Sequence, residues 1–286
     1  MIRLAFAGMA FSVLLAGCGG SGSQPAAPSS STAPAHVGYR PQRVVPFSGL
    51  DRPMGVAADA AGGLYVTDTG HNRVLKLDAA SGAQTVLPFT GLNKPWGVAV
   101  DAAGGVYVAD KDNNRIVKIA GSQPQTEPAI AGLVAPVDVA LDAAGNVYVT
   151  DAGNKRVVML TAFSNTESVV PFGDLKFPVG VAVDAAGSVY VADIVRVVKL
   201  TAGSKTPNSL ALSPSPVPLA WGVAVDAAGN VYVVDHDNKR LMMLGAGSTE
   251  LPLDGSSNPS GVALDKAGNV YVVDTLNNRV VELPAL

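Results

Sequence analysis

Residues 95–119 read PWGVAVDAAGGVYVADKDNNRIVKI, and this stretch contains its own secondary structure. Gly97 to Val100 is a short apolar run. Asp101 to Gly105 is a turn, because an Asp side chain bonds nearby backbone and Gly accepts positive φ. Val106 to Asp110 is rich in β-branched and aromatic residues, the composition of a strand. A second turn over 111–114 leads into Arg115 to Ile119, where apolar and polar residues alternate. The stretch is therefore three short antiparallel strands, a, b and c, joined by tight turns.

The unit recurs from Pro53, Pro136, Pro178, Ala220 and Pro259. Its tyrosine is Tyr65, Tyr107, Tyr148, Tyr190, Tyr232 or Tyr271, at spacings of 42, 41, 42, 42 and 39 residues. Such a period marks a repeat architecture. A less regular fourth strand, d, is expected over Gln84–Phe89, Thr126–Ala131, Glu167–Phe172, Asn208–Leu212 and Thr249–Leu253. Four antiparallel strands in about 41 residues make one propeller blade. The sixth unit ends at the C-terminus without its own d, while Arg43–Phe47 (RVVPF), ahead of the first unit, matches the d strands at Leu87–Phe89 and Val170–Phe172. The expected fold is all-β, a six-bladed propeller whose N-terminal strand 43–47 completes the last blade and closes the ring.

The composition fits. Charged residues make up 15% of the 286 and apolar residues 48%, which excludes a charge-rich disordered chain and a long charged coiled coil. A net charge of -3 argues against a nucleic-acid binder. The one cysteine, Cys18, excludes a disulfide framework and a cysteine zinc cluster.

Ahead of the repeats, Arg3 precedes an apolar stretch from Leu4 to Ala16, the layout of a secretory signal. Leu15-Ala16-Gly17-Cys18 resembles the bacterial lipobox, and the resemblance implies lipidation of Cys18 and cleavage before it. Residues 19–41 are Gly, Ser, Pro and Ala with little apolar bulk, a flexible tether. The expected organisation is a signal peptide over 1–17, a lipidated Cys18 with its tether to 41, and a propeller over 42–286. The expected location is the extracytoplasmic face of a bacterial cell membrane, reached through the lipid alone.

The repeat resembles the NHL family over residues 42–286. Its LPFTGLN and GVAVD…GxVYVxD…NNRVVKL phrasing, at Leu87 to Asn93 and Gly97 to Ile119, is similar to the extracytoplasmic sensor propeller of bacterial membrane-anchored serine/threonine kinases. No kinase motif accompanies it. The fourth repeat departs from the pattern: Asp193-Ile194-Val195-Arg196 lacks the Asn pair and two turn residues.

The Asp that ends each strand b (Asp68, Asp110, Asp151, Asp193, Asp235, Asp274) and the Arg that opens each strand c recur in every unit. A structural role at the b–c turn is expected of both, since a ligand site needs asymmetry. Asymmetry lies on the face shared by the d–a connections and b–c turns. There the second residue of strand a varies: Met54, Trp96, Val137, Val179, Trp221, Ser260. Both tryptophans fall in opposed blades, where they can grip a sugar ring or an apolar side chain, plug the channel, or wedge between blades. The next position is Gly except for Asp138, a carboxylate near the axis that must find a partner, a cation or water. Arg52, Lys94 and Lys176 join Lys111, Asp112, His71, His236 and Asp237 on the variable rim.

Related propellers include lactonases that hold a divalent metal with Glu, Asn and Asp, and lyases with a catalytic His. Here the four Glu lie on outer strands or at the C-terminus, and His71 and His236 lie on b–c turns. The leading expectation is therefore a lipid-anchored, monomeric sensor or scaffold. It would bind a cell-envelope protein, peptide or glycan through Trp96, Trp221, Asp138, Met54, Arg52, Lys94 and Lys176. No cofactor and no nucleic acid is expected. The alternative is an enzyme of lactonase or lyase type with a metal near the channel mouth.

Overall fold

The computed structural model describes residues 38–212, 219–245 and 247–286. All lie in the second of two units, His36–Leu286. The signal peptide, Cys18 and most of the tether lie outside the described residues.

Six small sheets make up the fold. In each, strand a (Pro53–Ala58, Pro95–Val100, Pro136–Leu141, Pro178–Val183, Ala220–Val225, Pro259–Leu264) lies innermost. Strands b and c follow outward in antiparallel register; in blade two, Asp110 pairs with Arg115 and Val106 with Ile119. Every strand b is buried along its whole length, which is why it lacks the apolar–polar alternation of a half-exposed strand and keeps its one charge, the Asp, at its end. Neighbouring blades share cores: Val66 and Leu75 of blade one pack with Tyr271 and Val273 of blade six. Each fully buried Val or Leu of this kind contributes about 1.5–3 kcal/mol.

Arg43–Val44 pairs with Val281 and Glu282 as the outer strand of blade six, so the ring closes as the repeat count implies. Glu282 stands where strand c of blades one, two and four carries Lys, and Arg43 clamps it with bonds of 2.7 and 2.8 Å. Ahead of the clasp, Tyr39 bridges Ala285 and its hydroxyl meets that of Tyr232 at 2.7 Å. The Tyr232 hydroxyl in turn donates to Asp226 in the a–b turn of blade five. The chain thus enters the ring on the a–b face.

The outer strands are shorter than the sequence suggests. Blade one has Gln84–Val86, blade three Glu167–Val169, blade four Asn208–Ser209 and blade five Ser248–Leu251. The strand expected at Thr126–Ala131 is a lone bridge between Thr126 and Lys118. Prolines at 124 and 128 flank Thr126 and supply no N–H for a ladder.

Both Asp sets are structural. Asp59 takes N–H donors from Ala61 and Gly63 and the Tyr65 hydroxyl, closing the a–b turn; Asp101, Asp142, Asp184, Asp226 and Asp265 form the same turn from backbone donors. In the second set, Asp110 accepts Asn93 N–H on one oxygen and Asn113 and Arg115 on the other. Arg115 also donates to Gly91 O, tying the b–c turn to the d–a connection. In five blades the donor to the first oxygen lies seventeen residues upstream: Asp51, Asn93, Val134, Lys176 or Ser257. In blade five that position is Pro218, which has no N–H, and Asp235 Oδ1 has no partner among the described residues.

Candidate active site at the channel mouth

Six inner strands converge on the axis, and they converge tightly. A Cβ added to Gly222 would fall 2.5 Å from the Ser260 carbonyl of the next blade. Gly at this position lets the strands meet, and the residues before it line the mouth: Met54, Trp96, Val137, Val179, Trp221 and Ser260, with Asp138 below them. The cavity is about 50 Å³, room for a few waters at roughly 10–15 Å³ of such space each.

The mouth is small because the tryptophans close it. Trp96 and Trp221 do not stand apart with a ligand between them; their ring centroids are 5.7 Å apart, with planes tilted by 39°. Beneath them Val137, Ala152 and Val179 form a buried apolar cluster against both indoles. Opposed blades thus place two large rings over one narrow axis, and contact between rings removes apolar surface from water.

Each indole has a polar companion at the residue that follows the repeated Asp. In blade two this is Lys111, with Nζ 4.9 Å from the centre of the Trp96 ring. In blade five it is His236, stacked on Trp221 at 3.9 Å and 23°. The imidazole is oriented from behind. Its Nδ1 lies 2.8 Å from Pro259 O, and a carbonyl only accepts, so Nδ1 carries the hydrogen and Nε2 is left as the basic nitrogen. The bond to Pro259 is a feature of the repeat. Thr69 donates to Pro95 O at 2.6 Å and Thr275 to Pro53 O at 2.8 Å, each reaching the first residue of the next strand a. His236 makes the same inter-blade bond and carries a second nitrogen beyond it. No hydrogen bond engages that nitrogen among the described residues.

His71 lacks these features. It is half exposed, and its Nδ1 faces Asp68 at 3.0 Å, where Asn113, Asn154, Asn238 and Asn277 serve in other blades.

Asp138 projects into the channel as its position implies. Its oxygens accept Val139 N–H at 2.9 Å and Val181 N–H, from the next blade, at 3.0 Å. Desolvation pushes its pKa up to about 6 against these two bonds. The partner the carboxylate demands is thus backbone. Ser260 is also committed: its hydroxyl lies 2.9 Å from Met54 O and 2.8 Å from the Thr275 hydroxyl, and its one hydrogen serves one of these two acceptors.

The other rim cations stay outside the cavity. Lys94 pairs with Asp112 at 2.8 Å, Lys176 with Asp174 at 2.5 Å, and Arg52 lies 3.5 Å from Asp51. The structure therefore joins Met54, Trp96, Asp138 and Trp221 and leaves Arg52, Lys94 and Lys176 apart. It adds His236 and Lys111 to the mouth. The signal for both was the variable residue after an invariant Asp: Thr69, Lys111, Ala152, Ile194, His236, Thr275.

A metal of the kind lactonase propellers hold does not fit this mouth. Asp138 is the single carboxylate on the cavity wall. Among the described residues no three His, Cys, Asp or Glu side chains come together to hold an ion.

Comparison with known proteins was made against this geometry. The family profile described as SMP-30/Gluconolactonase/LRE-like region matches residues 53–283. No curated protein sequence matches the chain. Among solved structures, a gluconolactonase from Xanthomonas campestris is 18% identical, with 86% of this chain and 89% of that chain covered and a TM-score of 0.70. A streptogramin B lyase is 14% identical, with 87% and 99% covered and a TM-score of 0.66. A catalytically inactive His-to-Ala variant of virginiamycin B lyase from Staphylococcus aureus, bound to quinupristin, is 14% identical, with 84% and 83% covered and a TM-score of 0.65. These three likenesses carry the fold. The profile match bears on function and overturns the expectation of a non-enzymatic sensor or scaffold. That expectation treated His236 as a solvated turn residue, because the contact that stacks it on Trp221 joins residues brought together only by the fold.

Proposed function

The chain belongs to the SMP-30/gluconolactonase/LRE-like family, and on that premise we propose that it opens a cyclic ester at the channel mouth, with His236 as general base. The observation that carries this reading is the pinned imidazole. Nδ1–H is held by Pro259 O and the ring lies flat on Trp221, so Nε2 has a fixed direction before any substrate arrives. A fixed base removes the orientational cost of the proton transfer.

The reaction is hydrolysis of the ring ester. Nε2 takes a proton from water as its oxygen attacks the carbonyl carbon. The tetrahedral intermediate collapses by breaking the bond to the ring oxygen, and the imidazolium returns its proton to that oxygen. A hydroxy acid results. Trp96 and Trp221 form the platform on which the ring lies, and Lys111, at the far end of the indole pair, faces the carboxylate formed. The same base serves an elimination, the reading favoured by the likeness to lyases of this fold, one of which is inactive as a His-to-Ala variant. Products separate the two: hydrolysis places one oxygen of labelled water in the acid, whereas elimination gives an alkene and no label.

The decisive variant is His236→Thr. Thr69 and Thr275 show that a hydroxyl makes the same inter-blade bond, so the exchange keeps the scaffold and removes the base. Lactone opening falls by about 10²–10⁴ while the melting temperature stays within a few degrees. Activity within a few-fold of the parent overturns the reading.

The proposed setting is the extracytoplasmic face of the membrane, with Cys18 lipidated. Entry of the chain on the a–b face, at Tyr39 and Tyr232, supports a mouth that faces away from the bilayer. The likeness of the repeats to NHL propellers and kinase sensors is, on this reading, a likeness of scaffold.

A further inference from the structure

The repeated tyrosines differ in what covers their hydroxyls. Tyr65, Tyr148, Tyr190, Tyr232 and Tyr271 each donate the hydroxyl hydrogen to the Asp of their own a–b turn, which leaves a lone pair on the phenol oxygen. The residue opposite the tyrosine in strand c decides what meets that oxygen. In blades one, two and four it is Lys76, Lys118 or Lys199, with Nζ 5.0, 4.5 and 4.8 Å from the ring centre. Lys118 Nζ donates to the Tyr107 hydroxyl at 2.6 Å. In blade six it is Glu282, clamped by Arg43. Blades three and five carry methionine there, Met159 and Met243.

Blades three and five repeat one constellation of Asp, Asn, Tyr and Met. The Asn146 and Asn230 amides each donate to Oδ2 of the turn Asp at 2.7 Å, where the lysine blades have Gly63, Gly105 and Ser188. In blade five the chain itself supplies the occupant. Tyr39 packs, with Met243, against the cluster of Tyr232, Leu251 and Leu283, and its hydroxyl meets that of Tyr232 at 2.7 Å. Tyr232 gives its own hydrogen to Asp226, so Tyr39 is the donor of that bond. Its backbone bridges Ala285, which is half-buried. Between blades three and four the counterpart residues Tyr148, Met159, Val170, Leu200 and Ala202 line a cavity of about 170 Å³, and an apolar cavity of about 150 Å³ accepts benzene. Ala202, the counterpart of Ala285, is exposed. Among the described residues no group donates to the Tyr148 oxygen.

We propose that the cleft between blades three and four binds the tyrosine side chain of an extended peptide segment from another chain, its hydroxyl donating to Tyr148 and its ring lying against Met159. The group that reaches Tyr148 must be a donor. The Tyr148 hydrogen is engaged by Asp142 at 3.2 Å, and a carboxylate stands behind it, which excludes a carboxylate or a carbonyl oxygen. An ammonium is the solution of the lysine blades, where it also reaches the turn Asp: Lys76 lies 3.5 Å from Asp59 and Lys118 3.3 Å from Asp101. In blade three Asn146 already donates to that carboxylate, as Asn230 does in blade five, where the occupant is a phenol. A ring edge against a thioether adds a favourable contact. The cleft opens by the a–b turns, on the opposite side of the ring from the mouth, so the proposal is independent of the chemistry assigned there.

The test follows isotope-labelled methionine methyl groups of the full chain by NMR during titration with N-acetyl-L-tyrosinamide, its phenylalanine analogue and n-butylamine. Met159→Leu, a volume-conserving exchange, assigns the Met159 signal. The expected result is a saturable shift of the Met159 methyl with the tyrosine amide, binding about fivefold weaker with the phenylalanine amide for want of the hydrogen bond, and no shift with butylamine. The Met243 methyl stays in place in the parent and responds in Tyr39→Ala, which removes the phenol the chain itself supplies. Met159→Lys sets the cation of the lysine blades over Tyr148 and abolishes binding, read as loss of saturation transfer to the ring of the tyrosine amide. Equal affinity for the two amides overturns the phenol reading. A shift with butylamine alone overturns it in favour of an ammonium site. A silent Met159 methyl overturns the site itself, whatever Met243 does.

Discussion

His236 gives its Nδ1 hydrogen to the carbonyl of Pro259, one blade further round, at 2.8 Å. The bond copies the one that Thr69 and Thr275 make in their own blades. One nitrogen of the ring belongs to the scaffold and the other to the mouth. Replacing His236 therefore has separable effects. His236→Ala removes the base and the inter-blade bond, and is expected to lose lactone opening and about 1 kcal/mol of stability. His236→Thr loses the activity alone. Parallel thermal melts and rate measurements separate the two effects, and equal stability losses in both variants would refute the dual role.

The Trp96–Trp221 contact makes a second claim. On the proposed reading Trp221 supports the base as well as the substrate, whereas no ring contact joins Trp96 to His236 among the described residues. Trp221→Leu should lower kcat and raise KM together, while Trp96→Leu should act mainly on KM, each by about tenfold. Steady-state kinetics on one lactone suffices; an unchanged kcat in Trp221→Leu removes the indole from the machinery.

Asp138 predicts a pH effect on stability. Burial raises its pKa to about 6 in the fold, above the ordinary carboxylate range near 4 that it has in the unfolded chain. Between these values the folded state binds the extra proton, so stability falls as pH rises and levels off above the folded pKa. The effect is on the order of 1–3 kcal/mol. Asp138→Gly restores the residue of the other five blades and abolishes the effect. The difference in melting temperature, variant minus parent, should rise from pH 4 to 6 and hold steady above 7. A gap that is constant with pH means the carboxylate ionises normally.

Arg43 and Glu282 clamp the strand that closes the ring. Glu282 is buried while the Arg43 side chain is largely exposed, so solvent screens one end of the pair. Removing Arg43 still leaves a carboxylate without its partner inside the sheet. Arg43→Ala should destabilise by about 1–3 kcal/mol, and Arg43→Ala/Glu282→Gln by less than the sum of the single changes. Denaturant midpoints of the four proteins give the coupling, and additive losses would show that the clamp contributes nothing.

Much of the scaffold can be read along the chain. The six tyrosines and the Asp–Ala–Ala–Gly turns imply the blades and their number, because each rests on hydrogen bonds or strand alternation within a few residues; closure follows from the count, since RVVPF is the one outer strand left over for a sixth unit that lacks its own. The inner wall is legible too: Met54, Trp96, Asp138 and Trp221 stand at repeat positions that face the axis. The outer strands are less so, since their pairing adds only two to four residues to a finished sheet and Pro124 or Pro128 is enough to reduce one to a bridge. His236 could not be ranked above His71 from sequence, for both are single His residues on b–c turns. The difference between them is a partner: Asp68 from the same blade for one, Pro259 and Trp221 for the other.

The sequence by itself determined the six-fold repeat, the ring and the place of every turn, because those follow from short-range periodicity copied six times. Only the tertiary structure decided which odd residues act together. Trp96 and Trp221 lie 125 positions apart and touch because closure brings opposed inner strands to one narrow axis. His236 becomes an oriented imidazole because the next blade offers a carbonyl at the right height. Each of these is a relation between blades, and the distances that set it come into being only when the ring closes.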